Sequence, residues 1–169
     1  PNNGCIVLAG DSAGGNLTAC TAVSLPNSDQ VVGTIMIYPA TEHYLAGLDS
    51  YREQANSGPL TREIMHWFFD TYLADTAPDN PQADTLFVSR RTDYVGFPRS
   101  LLVTAERDPL RDDGAQLHER LRTAGVDVTY HHYNDEAHGF ACSEGPTQGH
   151  RHFIALACEW LEPLKTPRL

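Results

Sequence analysis

Lysine is almost missing from this chain. Lys165 is the one lysine among 169 residues, the other basic side chains are eleven arginines, and no run of them occurs anywhere. Twelve basic against twenty-two acidic side chains leave a formal charge of −10. That charge repels phosphate backbones and anionic lipid, which argues against nucleic acid or a membrane surface as the main partner and favours a small, neutral substrate. Cysteine is scarce too: the four, at 5, 20, 142 and 158, show no C-x-x-C spacing and are scattered over apolar stretches. Free buried thiols are expected rather than a zinc site or a disulfide frame, and they fit a reducing, cytoplasmic compartment. No apolar run approaches the roughly 18 residues of a membrane span. Repeats and low-complexity tracts are absent as well. The first residue is proline rather than methionine, so the presence of a leader is left open. What is there is an apolar share of 41%, enough for one ordinary domain with a real core.

The elements alternate. Cys5 to Ala9 is a short apolar run, the pattern of a strand buried on both faces of a parallel sheet, and Gly10 to Gly14 breaks it. Gly15 to Leu25 carries small and apolar residues at helical spacing and is closed by Pro26. Val31 to Pro39 reads as a second strand, and 40–60 as loop. Thr61 to Leu73 opens on a capping threonine and places Ile64, Trp67, Phe68 and Leu73 at helical intervals. Asp75 to Arg99 reads as a long connection with a short turn around "ADTLFVS". Ser100 to Glu106 is a third buried strand. The helix "DDGAQLHERLRTAG" starts on Asp112 and Asp113, which are expected to cap it, and stops at Gly125. Val126 to Tyr133 alternates like a strand near the sheet edge, and His150 to Leu164 reads as a final amphipathic helix. Strands and helices in this order predict an α/β fold with a mostly parallel sheet and flanking helices.

Three residues fall just beyond three of these strands. Ser12 lies in Gly10-Asp11-Ser12-Ala13-Gly14, a G-x-S-x-G sequence between strand and helix, where a nucleophile elbow would sit. Glycines at 10 and 14 are expected because the turn is sharp and side chains there would collide with backbone. The helix that follows points its positive end at the serine, and the Ala13 amide is placed to hold an oxyanion. A plain glycine-rich turn or a phosphate loop is the alternative, although the Lys-Ser/Thr or third glycine that a phosphate loop wants is missing. Asp108 follows the third strand, with Pro109 biasing it away from helical geometry. His138, followed by Gly139, follows the last strand, and a neutral imidazole suits taking and returning a proton. His131 and His132 face opposite sides of a strand, and His150 and His152 diverge on a helix, so no metal site is expected among them. Ser…Asp…His is the chain order of α/β-hydrolase triads.

With "GDSAGG" (Gly10 to Gly15), "DPLRDDG" (Asp108 to Gly114) and "HGF" (His138 to Phe140), the chain resembles the hormone-sensitive-lipase-like branch of the α/β-hydrolases, the bacterial carboxylesterases of that type. The resemblance runs nearly its whole length. It implies hydrolysis of short to medium acyl esters through Ser12, His138 and Asp108, with no cofactor and no metal. A peptidase or acyltransferase using the same triad is the near alternative. A non-hydrolytic receptor on this fold is the distant one, disfavoured because receptors resembling this branch have lost the histidine. Leu45, Trp67, Phe68 and Phe69 are candidates to line the acyl pocket, although packing of a helix on the sheet would equally explain the aromatics. Oligomeric state is not readable.

Members of that branch carry an upstream His-Gly-Gly-Gly loop that adds oxyanion donors, and an N-terminal cap. Neither is among these residues, so 1–169 is expected to be the C-terminal part of a catalytic domain, with its first strand an unpaired apolar edge. Losing even one oxyanion donor typically costs about 10²–10³ in kcat. The 169 residues alone are therefore expected to fold poorly and to turn over esters far more slowly than a relative that has the loop. Comparable rates in a p-nitrophenyl ester assay would overturn that expectation.

Overall fold

A computed structural model describes residues 4–74, 76–77, 79–80 and 86–164. Its centre is a four-stranded, all-parallel sheet in the order β1-β2-β3-β4, made of β1 (Ile6–Asp11), β2 (Val31–Ile37), β3 (Ser100–Arg107) and β4 (Val128–Ala137). The helices are α1 (Ala13–Ser24), the single turn α2 (Ser50–Glu53), α3 (Arg62–Leu73), α4 (Arg111–Thr123) and α5 (Gln148–Leu161). Strand side chains alternate between faces. Met36 and Leu102 meet Ala19 and Ala22 of α1 and Leu117 and Leu121 of α4 on one face. Ile35, Leu101 and Val103 meet Phe153 and Trp160 of α5 on the other. Each large side chain buried this way contributes about 1.5–3 kcal/mol. No helix among the described residues is long and apolar enough to cross a membrane.

The α/β class and the parallel sheet are as expected, while several details differ. β1 is an edge strand, half-exposed at Ile6, rather than buried on both faces; among the described residues it pairs only with β2. β4 runs four residues past Tyr133, to Ala137, and lies at the opposite edge, as its alternation predicts. In α3 the buried stripe is Met65, Phe69 and Leu73, spaced by four, whereas Ile64 and Trp67 face outward and Phe68 is half-exposed. Thr61 does cap that helix, its Oγ1 accepting from the Ile64 amide at 3.2 Å. None of the four cysteines is in a disulfide, but Cys142 and Cys158 are exposed rather than buried, because they fall on a surface turn and on a residue of α5 turned away from the sheet. The turn expected around 83–89 lies partly outside the described residues, and its described end is a 3₁₀ turn, Val88–Arg90.

The largest departure concerns the start of α4. Asp112 and Asp113 do not cap it; the one first-turn amide met by a side chain among the described residues is that of Asp112, which donates to Ser50 Oγ, from a distant segment, at 3.3 Å. Asp113 is wholly buried and its Oδ1 accepts from the Thr41 and Glu42 amides, both at 2.9 Å. Asp112 accepts from the Ser50 amide at 2.9 Å, and Ser50 Oγ donates to the Pro109 carbonyl at 2.6 Å. The two carboxylates thus bind the segments after β2 to the turn that follows β3, at the carboxyl edge of the sheet. There a third apolar cluster, with Ala40, Tyr51, Met65, Phe69, Phe87 and Leu110, roofs the strand ends. The turn that ends α4 is locally determined: Gly125 takes φ 80°, its amide bonds the Arg122 carbonyl and that of Val126 bonds Leu121, the closing pattern glycine allows after a helix.

Burial, and after it the neighbouring charges of Asp108 and Glu42, push the Asp113 carboxyl well above its ordinary range, against the pull of the two amides. A carboxyl that keeps its proton to higher pH when folded than when unfolded stabilises the fold fully below its unfolded value, and loses that contribution as pH rises through the folded value. Asn at 113 keeps the acceptor for both amides and carries no charge to bury. Asp113→Asn is therefore expected to match or exceed the wild-type melting temperature at pH 8 and to flatten its decline above the acid range. A large loss of Tm at pH 8, read by calorimetry, would show that the ionised form is the stable one.

Candidate active site

Four side chains stand one residue beyond the four strands: Ser12 after β1, Tyr38 after β2, Asp108 after β3 and His138 after β4. Parallel strands present all their carboxyl ends at one edge, so residues far apart in sequence gather there. Ser12 Oγ lies 2.9 Å from His138 Nε2, and His138 Nδ1 lies 2.7 Å from Asp108 Oδ2. Asp108 is fully buried, and its other oxygen accepts from the Leu110 amide at 2.8 Å, which fixes the carboxylate's orientation. With Nδ1–H donated to that carboxylate, Nε2 is left to accept from the serine hydroxyl.

The sharp turn is real. Ser12 has φ 55° and ψ −117°, a region that costs a non-glycine residue roughly 1–3 kcal/mol. Its amide donates to the Ile37 carbonyl at 2.8 Å, and its carbonyl accepts from Asn16 at 3.1 Å and from Ala40 at 3.4 Å. Ala13 opens α1, where amides lack intrahelical acceptors, as a donor for an oxyanion must. Of the two glycines expected for steric reasons, one is required. A side chain at Gly10 would run into the Gly14 backbone, but nothing lies within 4 Å of one at Gly14. The crowded partner is Gly15, where a Cβ would come within 2.8 Å of Pro39.

His138 comes from an edge strand three positions from β1, and the register explains its reach. Thr104 and Ala105 pair with His132 and Tyr133, but Arg107 pairs with Ala137; β4 carries two extra residues there, which bends its end over the sheet. Gly139 at φ 87° continues the turn. Beneath the imidazole, the Tyr38 ring lies 4.6 Å away, centre to centre, at 50°. Tyr38 is fully buried and takes φ 36°. Burial, then Cys142 and Asp11, hold its phenol well above its ordinary pKa, so it stays neutral.

On the other side of Ser12 is a cavity of about 320 Å³, walled by Ala40, Met65, Phe68, Phe69 and Phe87 with Asn16 between them. Phe68 and Phe69 line it as the pattern allowed; Leu45 and Trp67 do not, because Leu45 borders a separate depression and Trp67 faces outward. Sequence reasoning missed Tyr38, Asn16 and the anchoring role of Asp113. The available signals were a tyrosine ending an apolar strand and an asparagine in a helix of otherwise small residues. Of the remaining histidines, His132 bonds Thr104 and Glu106 while the His131 ring lies against that of His152, on the opposite face. Among the described residues no group of three side chains could hold a metal ion.

Residues 2–142 match the model of a family described as having the alpha/beta hydrolase fold. The chain is 35% identical over 138 residues to carboxylesterase NlhH of Mycobacterium tuberculosis, covering 80% of this chain and 43% of that protein. It is 30% identical over 145 residues to the carboxylic ester hydrolase LipN of the same organism, 81% of this chain and 38% of the relative. The chain thus spans under half the length of these curated relatives. Among solved structures, an esterase of the fungus Rhizomucor miehei superposes with a TM-score of 0.87 at 32% identity, over 96% of this chain and 50% of the other. A hyperthermophilic esterase from the archaeon Pyrobaculum calidifontis gives 0.86 at 31%, over 96% and 53%.

The asymmetry among the elbow glycines yields a test. Gly14→Ala is expected to leave the melting temperature unchanged or slightly raised, since alanine favours a helix by roughly 0.5–1 kcal/mol. Gly10→Ala and Gly15→Ala are expected to lower it by several degrees. Equal losses at all three positions in a thermal melt would contradict this packing.

Proposed function

Because the chain belongs to the alpha/beta hydrolase fold family, we propose that it carries the serine nucleophile, acid and base of a carboxylesterase acting on small-molecule esters of short to medium acyl chains. The observation that carries this reading is the unbroken relay from Asp108 through His138 to Ser12, at 2.7 and 2.9 Å, opening on an apolar cavity. In the first half-reaction His138 Nε2 takes the proton of Ser12 Oγ as that oxygen bonds to the ester carbonyl carbon. The Ala13 amide, at the positive end of α1, donates to the oxyanion that forms. His138 then gives its proton to the departing alcohol. Water repeats the sequence on the acyl-enzyme, and Asp108 holds the imidazole in one tautomer and offsets its transient positive charge.

The cavity supports an acyl substituent without charge, since its walls are aliphatic and aromatic and none of its lining side chains is ionisable except the phenol of Tyr72 at the mouth. That favours esters over peptides with charged side chains. In a chain that also carries the upstream oxyanion loop, Ser12→Ala is expected to lower kcat on a p-nitrophenyl ester by about 10⁶ if the three residues act as a unit, and Asp108→Asn by about 10⁴. An organophosphonate should label wild type at Ser12 and spare Ser12→Ala. Wild-type turnover by Ser12→Ala would refute the assignment, and absence of labelling in wild type would favour a binding protein.

A further inference from the structure

Asn16 is a buried amide in the largely apolar wall of the cavity beside Ser12. It is 7% exposed and both amide hydrogens are committed: Nδ2 donates to the Ala40 carbonyl at 2.6 Å and to the Leu86 carbonyl at 2.7 Å. The amide orientation is determined by its neighbours, because Oδ1 faces the Cys20 thiol, 3.6 Å away, which can donate. Burial raises that thiol's pKa to about 11, so it keeps its proton.

The bonds form a closed circuit. The Ser12 carbonyl accepts from the Asn16 and Ala40 amides, and the Ala40 carbonyl accepts from the Asn16 side chain. The strained serine backbone is therefore tied to the segment after β2 directly, by the Ala40 amide, and that residue is held in turn by the Asn16 side chain, one turn further along α1. The second hydrogen of that same side chain holds Leu86, beside Phe87, and both line the cavity next to Ser12. Besides this bond, the Leu86 carbonyl meets α1 through one longer contact, with the Cys20 thiol at 3.7 Å.

We propose that Asn16 is a positioning residue that couples the angle of the nucleophile to the depth of the acyl pocket, so that one side chain sets both turnover and acyl-chain length preference. The proposal rests on the esterase reading above. Aspartate at 16 has the same shape but no donors, and would face two carbonyl oxygens with an acceptor. Losing a donor to a buried carbonyl leaves that carbonyl unsatisfied. Such a loss corresponds to about a 10- to 100-fold effect on a rate or affinity.

The test compares wild type, Asn16→Asp and Asn16→Ser, each in a chain that also carries the upstream oxyanion loop, on p-nitrophenyl acetate and p-nitrophenyl octanoate. The fraction of competent sites is counted with an organophosphonate, so unfolded molecules do not enter. For Asn16→Asp, kcat per labelled site is expected to fall about 10- to 100-fold on the acetate. KM is expected to rise on the octanoate more than on the acetate, because only the longer chain reaches the wall at Leu86. Asn16→Ser, with one donor, should fall between. If labelled sites of both variants keep wild-type kcat and chain-length preference while only the melting temperature drops, Asn16 is merely structural and the proposal is overturned. A wild type that neither hydrolyses nor labels overturns the esterase reading, and this one with it.

Discussion

Everything at the carboxyl edge of this sheet depends on one backbone conformation, that of Ser12. At φ 55° and ψ −117° the chain turns from β1 directly into α1 with no intervening loop, and the serine side chain is thrown clear of both. A relaxed residue there would lie along the strand or along the helix and would meet neither His138 nor the cavity. The strain, roughly 1–3 kcal/mol, is sustained by three hydrogen bonds from the serine's own amide and carbonyl to β2, the segment after it, and α1. Close approach of Gly10 to Gly14 and of Gly15 to Pro39 leaves the turn no wider path. The elbow is thus a property of β1, α1 and the Pro39–Ala40 segment together.

The parallel sheet then solves a problem of distance. Neighbouring strands are about 4.8 Å apart, and β1 and β4 are the two outermost of the four, so an untwisted, regular sheet would hold Ser12 and His138 too far apart to touch. The two extra residues of β4 opposite Ala105 to Arg107 carry the chain back over the strand ends. Tyr38, just beyond β2, gives the imidazole a flat, neutral wall to rest on. A bond joining residues 126 apart in sequence follows from this irregularity as much as from the residues it joins.

What could be read from the amino acids alone follows the same division. Ser12, Asp108 and His138, the parallel sheet, the Thr61 cap and the Gly125 stop are encoded within a few residues each, by apolar runs, glycines and a capping hydroxyl. The features missed are all decided by partners distant in sequence. Asp112 and Asp113 look like helix caps because Asp at a helix start usually is one; that they bind 41–42 and 50 instead depends on where the segment after β2 returns. Of the four residues that apolar spacing picks in α3, Leu73 is buried in the cluster over the strand ends and Phe68 borders the cavity, while Ile64 and Trp67 face outward. The helix roofs the strand ends rather than lying on the sheet, and its partners are Leu60, Phe87 and Leu110. Gly14 illustrates the converse: the motif names it, yet the space beside it is open.

Three carboxyl groups crowd behind this site, Asp108, Asp113 and Glu42, all nearly or fully buried, in a chain with a charge of −10. The nearby guanidiniums are engaged elsewhere. Arg90 pairs with Glu42 at 2.7 Å, and Arg111 is shared among Glu53, Glu106 and Asp112, which leaves neither of them to Asp108 or Asp113. Two adjacent buried carboxylates without a counter-ion cannot both stay charged cheaply. Asp113, held by backbone amides that a neutral carbonyl oxygen also satisfies, is the one whose carboxyl is pushed well above the ordinary range by burial and by its neighbours. Asp108 faces His138, the one group in reach that becomes positive during the proposed reaction. In that reaction the positive charge that forms on the imidazole as the serine gives up its proton lies against the Asp108 carboxyl, 2.7 Å away.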